Sequence, residues 1–582
     1  MTAIRVLDQE LINQIAAGEV IERPSSVVKE LLENAIDAQA KSIRIEIEGS
    51  GIDLIRLADD GHGMTGEELD TAILRHATSK IACSDDLFSI HTLGFRGEAL
   101  PSILSVSRST IASRAEPSPN GWRLSLEAGG IKEKGMKGMP RGTIVEVNDL
   151  FFNTPARRKF LKSASTEQRH IIDVVSRYSL AYPSVRFTLS INGRGLLNFR
   201  EGSSLEERVT DVWGKEVQGR LYVVSDERPQ LSIHGIVASP EITRPGRSGI
   251  YTYVNRRSVL DHTLRAAVLE GYSGLIMKQR YPLAVLFIDI DASEVDVNVH
   301  PAKAEVRFRS PSAVFGAIVN AVRHAFERQP PSRPDDREKP PALAVHEPSA
   351  SYRRQPQTVY QAPKFPAIQA TQPGILQQNL FGERKSGHTY SDKSVVGLFQ
   401  STYILLEDET SLYILDQHAA HERVTYERLK MAGSSNQASS QALLSPRIIE
   451  LSAVEFAAFD EISNELKVLG IDAEPFGDTA IAIRAVPSVL SRGNIQAIVM
   501  DLINAVTEGE MRRKEYLDEL LVRMACHSSI RAGKRLHLSE IEALLKDLDE
   551  LGSPMTCPHG RPLFKRIGAD EIERWIGRRP LS

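Results

Sequence analysis

The sequence predicts a multidomain mixed α/β protein. Three patterns point there. A helix with a regular apolar stripe leads into alternating strands near the N-terminus. The reading changes to strand-rich segments around residue 215, and a proline-punctuated stretch without hydrophobic period then separates these from another α/β region.

Residues 25–38, SSVVKELLENAIDA, place Val27, Val28, Leu31, Leu32, Ala35 and Ile36 on one helical stripe. The segments SIRIEIEG and LIRLADDG follow as strands. Further on, RLYVVS, QLSIHGIVAS, GIYTYVNRRSV and AVLFIDID form a second, smaller α/β unit ending near Phe326. From Gln329 to about Ser386 proline recurs and neither a helical nor a strand period survives, so this stretch is expected to be a disordered tether. Some 60 residues reach ~200 Å at ~3.3 Å each. Beyond it, TYILLEDETSLYILDQH reads as a hairpin feeding a helix, with further helices at 509–526 and 538–550. No internal repeat is found.

The composition narrows the function classes. At roughly 150 residues per domain the 582 residues suggest about four domain-sized units, or fewer large ones. Lys plus Arg is 71 and Asp plus Glu is 75, a net charge of −4, which excludes a strongly basic coat. Any nucleic-acid contact must come from local patches. Three cysteines exclude a disulfide framework and fit a reducing cytoplasm. Apolar runs fall short of the ~18 residues that span a bilayer, so no membrane partner is expected. The first twenty residues carry acids and no unbroken apolar core, arguing against a signal peptide.

Candidate chemistry starts on the first helix. Glu30 and Asn34 are four apart and project from one face. A carboxylate can accept a proton from an attacking water, and an amide oxygen can complete a Mg²⁺ shell. Alone, such a pair reads more often as a solvated helix face. Asp59-Asp60-Gly61-His62-Gly63 follows a strand, and its glycines permit a tight turn with close ligand approach. Gly94-Phe95-Arg96-Gly97 offers paired glycines before a helix, where free N–H groups can cradle phosphates. Lys303, in VHPAKAEVRF, reads alone as an edge charge between strands.

Taken in order, ELLENAIDA, DDGHG, GFRGEAL and GTIVEV closely resemble the ATPase shared by gyrase, heat-shock chaperones, histidine kinases and the MutL mismatch-repair family. Within that superfamily, GFRGEAL and VHPAKAEVRF are specific to MutL, and the resemblance runs through the first ~330 residues. It implies an ATPase α/β sandwich over 1–215 and a ribosomal-protein-type α/β transducer over 216–328. The tether would occupy 329–388, and an α/β dimerisation and endonuclease domain 389–582, with a regulatory lobe at about 445–510. It further implies Glu30 as general base, Asn34 as Mg²⁺ ligand, Asp59 against the adenine amino group with Gly61 and Gly63 at the base, and Thr143 supporting the pocket. Ala77, Thr78, Ser79 and Lys80, with Gly94, Phe95, Arg96 and Gly97, would form the phosphate-covering lid, and Lys303 would reach the γ-phosphate. Dimerisation of the N-terminal halves on ATP binding is likewise implied.

The second candidate site lies after the tether. His418 and Glu422 are one turn apart on a single helix face, a spacing that lets two side chains share a metal, while Asp416 suits either a ligand or an N-cap. Cys526, and Cys557 with His559, add soft and borderline donors suited to Zn²⁺ or Mn²⁺; a buried core thiol and a turn residue are the plainer readings. Cys83 has only a plain reading. DQHAAHERVTYE and CPHGRP resemble the motifs of MutL relatives that nick DNA themselves, which implies Asp416, His418, Glu422, Cys526, Cys557 and His559 as the metal set and Asp416 and Glu422 as catalytic. Phe564-Lys565-Arg566 fits the family's Phe-x-Arg element. One departure is Ala525-Cys526-His527, where many relatives have Ala-Cys-Arg; His421 is an extra imidazole, expected to be solvated.

Arg157, Arg158, Lys159 and Lys162 form one basic cluster, and Arg256 and Arg257 another; both suit sequence-independent contacts to double-stranded DNA, or are solvated faces. Gln441-Ala442-Leu443-Leu444-Ser445-Pro446 stands where the family carries a sliding-clamp motif, and Gln377-Gln378-Asn379-Leu380-Phe381 fits a general clamp pattern. The reading implied is a cytoplasmic, ATP-dependent homodimer that joins a MutS-type mismatch-recognition protein to strand nicking. The alternative is a non-nucleolytic matchmaker with structural zinc. A topoisomerase subunit or chaperone fits poorly, because no second strand-passage domain is seen.

Overall fold

A computed structural model describes residues 20–80, 93–94, 97–244, 249–277, 280–296, 306–328, 389–434, 440–490, 494–507, 516–528, 536–552, 554–558, 560–576 and 578. The expected tether, 329–388, with its Gln377 segment, lies outside the described residues, as do Cys83, Phe95, Arg96, Lys303, His559 and the side chain of Cys526.

The N-terminal region is a sheet covered on one side by helices. Helix α1 (Pro24–Asp37) starts with proline in its first turn, where the missing N–H costs nothing, and buries Val27, Val28, Leu31, Leu32 and Ala35. Strands β1 (Ser42–Glu48) and β2 (Leu54–Asp59) follow, then helices α2 (Gly66–Ala72) and α3 (Ala99–Ser105). The sheet is completed by β3 (Arg108–Arg114), β4 (Gly121–Glu127), β5 (Gly130–Lys137), β6 (Gly142–Asn148), β7 (Arg186–Ile191) and β8 (Arg194–Phe199). Its order is β5-β4-β3-β6-β2-β1-β7-β8, and only the β1–β7 pair is parallel. Burial alternates along most strands because one face packs the core and the other does not. Short helix α4 (Pro155–Phe160) precedes α5 (Ala164–Ala181), which packs against α1.

After α6 (Leu205–Trp213) come β9 (Leu221–Arg228), β10 (Leu231–Ala238), β11 (Ile250–Val254), β12 (Arg257–Val259), α7 (His262–Gly271), β13 (Ala284–Ile290) and α8 (Pro311–Arg328). These strands form a five-stranded sheet, β12-β11-β13-β10-β9, with its own core against α7 and α8.

The C-terminal region holds two small sheets. Strands β14 (Ser394–Phe399), β15 (Tyr403–Glu407) and β16 (Ser411–Asp416) form the antiparallel unit that feeds helix α9 (Gln417–Ser434). Strand β17 (Ser440–Glu450), helix α10 (Ala453–Val468), strands β18 (Asp472–Phe476) and β19 (Ala480–Pro487), and helix α11 (Ile495–Thr507) make the second unit. Helix α11 was not expected from the sequence. Helices α12 (Tyr516–Ser528) and α13 (Leu538–Glu550) pack against α9, and β20 (Phe564–Gly568) closes the first sheet beside β16. Among the described residues no helix is long and apolar enough to cross a membrane.

Candidate functional site

A cavity of roughly 1620 Å³ opens beside α1. While the apolar stripe of α1 faces the core, its opposite stripe of Glu30, Asn34 and Asp37 lines this cavity. Asp59, Gly63, Thr78, Ser79, Lys80, Gly94, Gly97 and Thr143 line it too, so most of the expected nucleotide residues meet in one place. Gly61 stands behind the wall, where a Cβ would meet the Ala38 carbonyl at 2.7 Å.

Each wall has a local cause. Asp59 ends β2 opposite Thr143 of β6, and its Oδ1 accepts from the Gly61 N–H at 2.9 Å. Burial pushes the Asp59 carboxyl up to about 6, against the Gly61 and Thr143 backbone donors that favour its ionised form. Thr143 Oγ1 and Ser113 Oγ share a hydrogen bond at 2.9 Å, and Ser113 Oγ accepts from the Met64 N–H at 2.8 Å. Gly63 has φ +69°, with a Cβ position 2.0 Å from the Arg114 carbonyl oxygen, so glycine is required twice over. Gly97 repeats this at φ +62° against the Ala77 carbonyl, and its own carbonyl accepts from the His76 N–H at 3.1 Å. The 76–80 segment is thereby tied to Gly97.

The position expected for Mg²⁺ already attracts a cation. Lys80 Nζ donates to Asn34 Oδ1 at 3.0 Å and to Asp37 Oδ2 at 2.5 Å, and Asp37 also accepts from the Leu93 and Gly94 N–H groups. A donor set that holds an ammonium fits a divalent ion. Asp37 was missed by the sequence reading, although it continues the Glu30/Asn34 face three residues on. A second unexpected group lies behind Glu30. Lys29 Nζ is 3.3 Å from Glu30 Oε1 and 3.5 Å from Glu33 Oε1, and the Tyr178 hydroxyl of α5 donates to Glu33 at 2.5 Å. Burial alone would lower the Lys29 ammonium, but Glu33 and Glu30 carry it above its ordinary value. Glu30 is thus held by a half-buried network, backed by buried Glu33 and Tyr178, rather than left on a solvated face.

In the C-terminal region α9 begins where β16 ends. Asp416 Oδ1 accepts from the His418 and Ala419 N–H groups at 2.9 and 3.1 Å, so Asp416 is an N-cap. His418 Nε2 lies 3.1 Å from Glu422 Oε1 across one turn, the histidine 40% exposed and the glutamate 10%. The loop carrying Cys557 runs alongside: Asp416 N–H donates to the Leu563 carbonyl at 2.9 Å and Arg423 reaches the Thr556 carbonyl at 3.4 Å. Cys557 is buried in one core with Ala419, Ala420 and Val424. Cys526 lies on α12, which packs against α9. The pair His418/Glu422 supplies two converging donors; among the described residues no group of three metal-ligating side chains is gathered.

Of the basic clusters, Arg158, Lys159 and Lys162 are exposed and Arg157 is half-buried; Arg256 is exposed in the β11–β12 turn, with Arg257 half-buried beside it. Gln441, Leu444 and Pro446 are exposed on β17, an edge strand whose pairing with β19 breaks between Ala442 and Arg447. Within the clamp candidate, Gln441 and Ala442 are paired with β19 while Leu443 to Pro446 stand out of the ladder.

Three family models match the chain: the histidine kinase-, DNA gyrase B- and HSP90-like ATPase over residues 22–148, the DNA mismatch repair protein C-terminal domain over 209–327, and the MutL C-terminal dimerisation domain over 396–536. The DNA mismatch repair protein MutL of Geobacter sulfurreducens is 41% identical, with 99% of each chain covered. That of Geotalea daltonii is also 41% identical, over 99% of this chain and all of its own. A solved structure of the Aquifex aeolicus MutL ATPase domain complexed with ADP is 32% identical, with a TM-score of 0.37, covering 47% of this chain and 93% of that one.

Proposed function

Because the chain belongs to the MutL family of DNA mismatch repair proteins, with the family's ATPase and dimerisation domains, we propose that it is an ATP-gated homodimer that nicks DNA itself. In this reading it receives its signal from a MutS-type mismatch-recognition protein and acts on double-stranded DNA without reading sequence.

At the first site Glu30 is the general base for the attacking water. Lys29 and the Glu33–Tyr178 pair orient it, and Asp59 selects the adenine amino group with Gly61 and Gly63 close to the base. Thr78, Ser79, Lys80 and the paired glycines Gly94 and Gly97 close over the phosphates, joined by Phe95, Arg96 and Lys303. A Mg²⁺ ion at Asn34 would neutralise phosphate charge there. Lys80, which holds Asn34 and Asp37, would have to leave that position for the ion to be held there.

The nicking half is carried by one observation: α9 sets His418 against Glu422 beside the loop of buried Cys557. Asp416, His418, Glu422, Cys526, Cys557 and His559 would hold Zn²⁺ or Mn²⁺, which would polarise a phosphodiester and make water a better nucleophile at neutral pH. Asp416 and Glu422 anchor the helix face on which the chemistry takes place. Arg157, Arg158, Lys159, Arg256 and Arg257 contact DNA phosphates, and Gln441, Leu444 and Pro446 meet the sliding clamp. The deciding experiment compares Mn²⁺-dependent nicking of supercoiled plasmid by the native protein and by Asp416→Asn. Relaxed circles made only by the native protein support the reading. No nicking by either, even with ATP and clamp added, leaves a matchmaker whose metal is structural.

A further inference from the structure

The ATPase domain and the second C-terminal unit meet along a surface that neither the nucleotide pocket nor the α9 site uses. Helix α10 packs on α5, and Ala453 and Ala457, two small residues one turn apart on α10, are buried within the N-terminal core. Small side chains let two helices approach closely. Leu196 of β8 returns the contact by packing against the C-terminal core.

The polar contacts around this seam are one-sided in charge. Arg169 of α5 pairs with Glu461 of α10 at 3.2 Å, the two side chains being only 10% and 2% exposed. The same guanidinium donates to the Val506 carbonyl at the end of α11, and Ser163 Oγ donates to Glu461 at 3.2 Å. Arg244 lies 3.4 Å from Glu455, and Lys215 lies 2.9 Å from Glu450. The Arg194 guanidinium sits 4.0 Å over the Phe456 ring and donates to the Gly477 carbonyl. In each of these contacts across the seam, among the described residues, the cation comes from the N-terminal half and its anion or carbonyl from the C-terminal unit, although Arg244 also pairs with Glu216 of its own half. A chance collision of two surfaces would not sort charge this way, nor desolvate an arginine–glutamate pair.

We propose that residues 440–490 and 494–507 form a docking unit for the α5 face of the ATPase domain in the same chain, with Glu461 entering the Arg169 patch as its key. The opposite side of α5 carries Tyr178, whose hydroxyl holds Glu33 beside Glu30. The docked unit therefore stands one helix behind the residues that face the nucleotide. This assignment rests on the contacts alone and is independent of whether the protein nicks DNA.

The test uses the full-length chain with Lys215→Cys and Glu450→Cys together, two exposed rim positions whose native side chains meet at 2.9 Å, joined by a flexible bis-maleimide, each single variant serving as control. Docking within one chain gives a fast-migrating internally cross-linked monomer on a non-reducing gel, absent from both controls. A covalent dimer alone, or no product beyond the controls, overturns the proposal. A second measurement stands even if the cysteine variant folds poorly: small-angle scattering of Arg169→Glu, Glu461→Arg and the double charge swap. The radius of gyration should rise in each single variant and return to the native value in the double. Unchanged singles, or a double as extended as the singles, overturn the pairing.

Discussion

The two candidate sites are built differently. The nucleotide pocket draws most of its described side chains from residues 30–143 and arranges them on a continuous frame: one face of α1, the end of β2, two glycine-tied segments and β6. The C-terminal site joins the first turns of α9 to a loop some 140 residues later, and its described donors meet only as the pair His418 and Glu422. A polar network stands behind Glu30, whereas behind His418 and Glu422 stands a small apolar core. The first site is a connected polar frame, whereas the second, among the described residues, brings two donors to one helix end.

That contrast is open to direct attack. The largest effect is expected from Glu30→Ala, which should lower ATP turnover by ~10²–10⁴-fold, the usual contribution of a positioned general base, while nucleotide still binds. Phosphate release and fluorescent-nucleotide titration measure the two separately. Turnover surviving at native rate would show that the polar network behind Glu30 serves stability alone. At the other site His418→Ala, the loss of a proposed ligand, should weaken metal retention by more than the ~10–100-fold typical of losing an outer-shell partner, and leave ATP turnover intact. Metal content per chain after dialysis reads this; unchanged content would remove α9 from the metal site.

Smaller effects probe how rigid the first frame is. Gly63→Ala forces a side chain into positive φ and against the Arg114 carbonyl. Strain of ~1–3 kcal/mol from the backbone alone should lower the melting temperature and abolish nucleotide binding. Tyr178→Phe removes the hydroxyl that holds buried Glu33, at a cost of about 1–3 kcal/mol in chemical denaturation. It should reduce turnover more than affinity, because Glu30 loses its support while the adenine and phosphate walls stay.

How much of this the sequence revealed depended on whether the signal was local. The stripe of α1 was readable because helix periodicity separates Val27, Val28, Leu31 and Leu32 from Glu30 and Asn34 within a few turns. Asp37 sits on the same face and was passed over, since its partners, Lys80 and the Gly94 N–H, come from segments more than 40 residues away. Tyr178 was invisible for the same reason: a tyrosine on an amphipathic helix reads as core until α5 is laid against α1. The i, i+4 pair His418/Glu422 was local and legible, while the approach of the Cys557 loop required the β16–β20 pairing. The family resemblance gives a lobe at about 445–510, and α11 carries Ile495, Ile498, Val499, Leu502, Ile503 and Val506 at helical spacing, but its docking surface emerged only once α10 is laid against α5.

Nucleotide binding and folding depend on the charge of Asp59 with opposite signs. Asp59 titrates near 6 in the folded chain because burial disfavours its charge, whereas the unfolded chain ionises it near 3.8. Between those values the folded state binds more protons than the unfolded state, so this group's share of stability falls as pH rises from about 4 to about 6 and grows on acidification. An adenine amino group asks for the reverse, since it donates to the ionised carboxylate. Nucleotide affinity should be flat between pH 7 and 8 and then weaken below pH 6, by at most about tenfold per unit. Asp59→Asn should bind more weakly and lose this dependence. Measured by fluorescent-nucleotide titration beside a melting curve at each pH, lost affinity without lost stability assigns the effect to Asp59. Parallel loss of both would make it acid unfolding and leave the adenine contact unsupported.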